Sequence, residues 1–133
     1  MAGGGPEWPP KVGEFSWHEL LTTDHASAFD FYSKLFGWDK QDEYDMGPMG
    51  IYLMYGKDGN MYGGMFTKSA DMPMPPNWLC YIKVADAKAS TETIKGASGT
   101  IMNGPMEVPG GDWITQFSDP QGAMSAVHSA KSA

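Results

Sequence analysis

Apolar and polar positions along this chain change period several times, and the same order of changes occurs twice. Residues 13 to 22, GEFSWHELLT, alternate well enough to predict a strand. Asp24 follows, with a side-chain oxygen suited to the orphan amides of a helix start. Ala26, Phe29, Tyr32, Leu35 and Phe36 then recur at helical spacing, with apolar residues on one face. Gly37 fits the position just past a helix end. Strands are predicted over Trp38 to Met46, Gly50 to Tyr55 and Met61 to Thr67. The last two are joined by Lys57-Asp58-Gly59-Asn60, which has hairpin chemistry. Residues 68 to 77, KSADMPMPPN, hold three prolines that cannot sit in a central strand, and read as a linker. The order then starts again. Trp78 to Val84 is a strand, and Asp86 caps a second, weakly amphipathic helix ending near Ala97. Strands follow over Gly99 to Glu107, with a break at Asn103-Gly104-Pro105, then Trp113 to Ser118 and Ala123 to His128.

The two runs stand at a fixed offset. Thr22-Thr23-Asp24 and Val84-Ala85-Asp86 are 62 residues apart, and Gly37 and Gly99 each follow their Asp by 13. Two copies of this length are too few for a solenoid. They predict two halves of one small domain, each reading strand, helix, strand, strand, strand, with any functional site where the halves meet.

At 133 residues one domain is expected, long enough for a core without staples. The single cysteine, Cys80, rules out an internal disulfide and points to a reducing, cytoplasmic setting. The opening MAGGGPEWPPK lacks the apolar stretch of a signal peptide, and no apolar run reaches transmembrane length. A net charge of −7 argues against nucleic acid and anionic membranes as partners. Aromatic residues at 13% together with 11 methionines suit both core filling and an adaptable binding surface.

FSWHELLTTDHASAFDFYSKLFGW resembles the first module of the vicinal oxygen chelate superfamily, the glyoxalase, bleomycin-resistance and extradiol-dioxygenase group. WLCYIKVADAKA and GGDWITQFSDPQGAMSAVH resemble its second module, with an Asp-Pro-Gln-Gly-Ala turn before the last strand. The resemblance covers residues 13 to 128. It implies an α+β fold of two βαβββ modules in a pseudo-two-fold arrangement, forming a half-open barrel around a cavity. The expected organisation is a flexible lead over 1–12, a domain over 13–129 built of modules 13–67 and 78–129 around the linker, and a tail over 130–133.

Enzymes of this superfamily usually hold a divalent metal, and the resemblance places its ligands on the first and last strands of each module. Those positions are Trp17, Gly64, Leu79 and Ala126 here, and they obey the 62-residue offset. None offers the imidazole or carboxylate such cations need. The departure implies no metal and no cofactor, and speaks against lactoylglutathione lyase and dioxygenase chemistry.

Alternation from Trp17 sets the expected cavity lining. Phe15, Trp17, Glu19 and Leu21 face inward from the first strand, and Leu79, Tyr81 and Lys83 from its repeat. Tyr62 and Phe66 flank Gly64, and Met124 and His128 flank Ala126. Such an aromatic and Met-rich lining with few polar groups is usual for a small-molecule site. Glu19 is the candidate general base: burial among aromatics would raise its pKa, with Lys83 and Tyr81 as plausible partners. His18 points to the opposite face, His25 is expected in solvent, and Cys80 reads as a buried structural thiol. Three functions stay open. The first is a metal-free protein binding an aromatic or amphipathic metabolite or drug. The second is a metal-independent lyase, isomerase or hydroxylase-like enzyme using Glu19. The third, a metal-dependent glyoxalase or dioxygenase-like enzyme, requires a different strand register. A homodimer is expected, because unpaired strand edges are safer when covered.

Overall fold

A computed structural model describes residues 10–130, so the N-terminal lead up to residue 9 and the last tail residues lie outside the described residues. The elements are β1 (Phe15–Thr22), α1 (His25–Phe36), β2 (Asp39–Asp45), β3 (Ile51–Lys57), β4 (Asn60–Thr67), β5 (Asn77–Lys83), α2 (Ala87–Gly96), β6 (Thr100–Glu107), β7 (Trp113–Ser118) and β8 (Met124–Ser129). A short 3-10 turn over Gly47–Met49, which the periodicity did not announce, links β2 to β3. The chain is α+β, and βαβββ occurs twice. Two compact units form: Trp17–Leu79, and the described residues up to Ser16 together with those from Cys80 onward.

The first module orders its strands β2-β3-β4-β1, and the second β5-β8-β7-β6. In each, the opening strand pairs parallel with the last, β1 with β4 and β5 with β8. The remaining pairs are antiparallel. A parallel pair needs a long crossover, which the helix and two intervening strands provide.

Both helices begin alike. Asp24 (φ −156°, ψ 98°) accepts from the amides of Ala26 and Ser27, and Asp86 (φ −153°, ψ 110°) from those of Lys88 and Ala89. Their ends differ. Gly37 takes the left-handed conformation (φ 71°) and returns its amide to the Ser33 carbonyl. After α2 the left-handed residue is Ser98 (φ 72°) rather than a glycine. Gly99 serves close packing instead, since a Cβ there would lie 2.5 Å from Ile94 Cγ2. At the hairpin between β3 and β4, Asp58 (φ 54°) and Gly59 (φ 84°) both have positive φ, as the sequence pair predicts.

The Ser27 hydroxyl and then its amide hold the exposed Asp24 carboxyl below its ordinary value of 3.8. A depressed folded-state pKa contributes stability above the unfolded value and loses it as pH falls. The start of α1 is therefore expected to loosen as pH drops below about 4. Amide exchange at Ala26 and Ser27 reads this directly. Asp24→Asn keeps a capping oxygen without titrating, so it should flatten the pH dependence; an unchanged slope would contradict the assignment.

The unit Trp17–Leu79 buries Leu20, Leu53, Tyr55 and Met65 against Ala28, Phe29, Tyr32 and Trp38. The apolar stripe of α1 is thus narrower than its spacing implied: Ala26, Leu35 and Phe36 are exposed. The other unit anchors its helix by hydroxyl groups. Thr91 donates to the Ala87 carbonyl and shares a 2.7 Å bond with Thr115, while Ser129 Oγ accepts from the Ala87 amide. Small and hydroxyl residues make up that buried face, so α2 reads as weakly amphipathic although it is firmly held.

Candidate functional site

Strand alternation divides the first unit. Leu20, Leu53, Tyr55 and Met65 turn toward α1, so Trp17, Glu19, Tyr52, Gly64 and Phe66 share the opposite face. On that face a directed chain of hydrogen bonds runs across β1 and β3. Trp17 Nε1 donates to the Tyr52 hydroxyl at 2.9 Å, and Tyr52 donates to Glu19 Oε2 at 2.7 Å. The indole can only donate, so its bond orients the phenol and sends the Tyr52 proton to the carboxylate. Tyr52 also lies 5.9 Å from Phe66, ring to ring.

Gly64 completes the arrangement. A Cβ there would fall 2.1 Å from Tyr52 Cε1 and 2.3 Å from its hydroxyl oxygen, so the ring rests directly on the glycine backbone. Tyr52 thus fills the space directly above Gly64. Tyr52 was missed by the sequence reading, which followed only the first and last strands of each half. Alternation from Leu53 and Tyr55 would have placed it on this face.

Tyr62 departs from the expected lining. It stands edge-on to Trp38 at 6.4 Å and to Tyr55 at 6.5 Å, among residues of the α1-facing core. The β3–β4 register shifts between Tyr55 and Gly56, and such a bulge breaks the period of two on which the expectation relied. Leu21 and Leu79 are half-buried in the same unit.

The second unit holds the remaining expected residues. Ala126 is fully buried and pairs with Tyr81, whose hydroxyl accepts from Gln116 Nε2 at 2.9 Å. Lys83 pairs with His128. His128 is half-buried, with Nε2 2.7 Å from Asp112 Oδ2 and Nδ1 3.2 Å from the buried Ser16 Oγ. Ser16, Asp112 and Gln116 were not foreseen. Phe15 and Met124 are exposed.

Two further expectations change. His25 is not in open solvent: its amide and Nδ1 both reach Thr67 Oγ1, at 3.0 and 2.8 Å, tying the start of α1 to the end of β4. Cys80 is half-exposed rather than buried.

The metal that the resemblance implies does not fit these residues. Trp17, Gly64, Leu79 and Ala126 carry no side-chain donor for a cation, and the Tyr52 ring occupies the surface of Gly64. Among the described residues no three His, Cys, Asp or Glu side chains come together as a metal-binding group.

Residues 14–127 match the model of the Glyoxalase/Bleomycin resistance protein/Dioxygenase superfamily, and the chain belongs to that superfamily. It is 32% identical over 128 residues to the anthracycline biosynthesis protein DauV of Streptomyces sp. (strain C5), covering 86% of this chain and 46% of that protein. It is 31% identical over 121 residues to a putative glyoxylase of Mycobacterium tuberculosis, with the same coverages of 86% and 46%. The chain thus spans about half the length of these relatives. Among solved structures it is similar to methylmalonyl-CoA epimerase of Streptomyces coelicolor in complex with 2-nitronate-propionyl-CoA. The TM-score is 0.71 at 14% identity, covering 92% of this chain and all of that one (100%). At that identity the likeness speaks for the fold alone. No helix among the described residues is long and apolar enough to cross a membrane.

Proposed function

We propose that this protein binds an aromatic or amphipathic small molecule on the face carrying Trp17, Glu19, Tyr52 and Phe66, without a metal ion. The carrying observation is the Tyr52 ring seated on Gly64, which puts an aromatic wall where the superfamily's metal chemistry would need a donor. Aromatic faces supply most of the contact energy in such sites. DauV is named for anthracycline biosynthesis, and anthracyclines are polycyclic aromatic compounds, which supports the ligand class. Mass spectrometry of the natively purified protein tests the reading. A stoichiometric aromatic compound released on denaturation is expected; a released CoA ester would contradict it.

Trp17 should report ligand entry. Trp17→Ala is expected to fold and to lose most of the intrinsic fluorescence response to any bound aromatic compound. A full response in that variant would move the binding face elsewhere.

A metal-independent enzyme using Glu19 as base is the second reading, favoured by the position of Glu19 on that face. Tyr52 donates to Glu19 Oε2 at 2.7 Å, so the carboxylate is already engaged on this face. A homodimer is also proposed. α1 exposes Phe31, Leu35 and Phe36, each more than half accessible, and a second copy would cover them. Such an interface would bury on the order of 1,600 Å². Light scattering at micromolar concentration should give a dimer; a clean monomer would contradict it.

A further inference from the structure

We propose that Asn103 is a self-modification site: the backbone nitrogen of Gly104 closes on its side-chain amide, expels ammonia and leaves an aspartyl or isoaspartyl residue on β6. The site belongs to the second unit and draws on none of the residues of the binding face. β6 is the edge strand of that unit, with β7 beside it. The register between the two strands shifts on both sides of Asn103, and Gly104 and Pro105 have no paired residue in it. Asn103 is exposed, and no hydrogen bond holds its side chain among the described residues. Gly104 (φ 98°) brings no Cβ to shield its nitrogen from the amide carbon. Glycine also gives the backbone the most freedom to reach the ring geometry. An irregular edge segment opens locally at low cost, which exposes the pair to water and hydroxide.

The two other asparagines of the chain lack these features. Asn60 is followed by Met61 and Asn77 by Trp78, whose side chains crowd the attacking nitrogen. The Asn77 amide also donates to the Pro75 carbonyl at 2.8 Å. Packing requires the glycine at 104: a Cβ there would lie 2.7 Å from the Ile114 carbonyl oxygen and 3.1 Å from Thr115 Cα. The residue that lets β6 approach β7 is therefore the one that leaves Asn103 open to attack.

In the step itself the Gly104 N–H gives its proton to hydroxide and the nitrogen bonds to Asn103 Cγ. The Cγ–Nδ2 bond breaks, and the leaving nitrogen takes a proton from water and departs as ammonia. Water then opens the five-membered imide. Cleavage at Cγ gives aspartate, and cleavage at the main-chain carbonyl gives isoaspartate, with the chain rerouted through Cγ. Net, water enters and ammonia leaves, with no oxidant or reductant. Either product adds a negative charge to a chain of net charge −7. Isoaspartate also lengthens the β6 backbone by a methylene group where Asn103 is registered to Gln116.

The folded wild-type chain is incubated at mildly alkaline pH, and ammonia release is followed together with the mass of each proteolytic peptide. Stoichiometric release from residue 103 is expected, with Asn60 and Asn77 intact and a rate rising in proportion to hydroxide. Asp58-Gly59 can close the same ring but holds no amide, so ammonia and mass separate the two sites. Asn103→Gln would have to close a larger ring, and is expected to lose nearly all of the release. The peptide map of the wild type reads the site directly, so the result does not depend on that variant folding. An Asn103 still intact in the folded chain when the urea-unfolded chain is half converted there would overturn the proposal. Faster loss at Asn60 or Asn77 would overturn it as well.

Discussion

Replacing Gly63 with alanine is expected to cost about 3 kcal/mol or more of stability. Its Cβ would lie 1.7 Å from the His18 carbonyl oxygen, 2.7 Å from the His18 carbonyl carbon and 2.8 Å from the Tyr55 hydroxyl. The first two belong to backbone. They can yield only if β1 separates from β4, breaking the parallel register His18↔Gly63 and Glu19↔Gly64 that positions the candidate site. Tyr55 also donates to that same His18 carbonyl at 2.9 Å, so relief in one direction breaks a partly buried bond. The neighbouring Gly64→Ala meets atoms of the Tyr52 ring, the nearest at 2.1 Å, and a side chain can swing aside. It should cost about 1–3 kcal/mol and displace Tyr52. Urea unfolding of the two variants makes the comparison. Equal losses, or a neutral Gly63→Ala, would show that the close approach of β1 and β4 is not real.

Glu19→Gln carries the second large effect, because it separates binding from catalysis. If the protein binds only, the variant should fold normally and lose roughly 1–3 kcal/mol of affinity for its aromatic ligand, the cost of a weakened charged hydrogen bond. If Glu19 is a general base, turnover of the substrate should fall about 10²-fold or more. The bond from Tyr52, 2.7 Å long, favours the first outcome. Undetectable turnover with near-normal binding would overturn the preference for a binding protein.

Much of the fold was legible in the chain because it rests on local chemistry. Asp24 and Asp86 cap helices in nearly the same backbone conformation, as their 62-residue offset suggests. Asp58-Gly59 makes the hairpin, and Trp113 to Ser118 is a strand with the expected bounds. The site was harder to read because it depends on which strands meet. Tyr52 belongs to a third strand whose face is set by its pairing with β4, and pairing is not a local property. Tyr62 was assigned by alternation across a bulge that one chain segment alone does not reveal. Glu19 was expected to pair with Lys83 or Tyr81 on the repeat strand, whereas Tyr52, 33 residues away on the third strand, donates to it. The second helix looked weak because its anchoring residues, Thr91 and Ala87, carry no large apolar side chain.

This member of the superfamily is proposed to bind its ligand without a metal ion. Protein dialysed against chelator and verified by elemental analysis should bind 2-naphthol saturably at one site. Its affinity should stay unchanged when magnesium, manganese, nickel or zinc is added. Binding that arises only with a stoichiometric divalent ion, or an ion that survives the dialysis bound to side chains, would contradict the account.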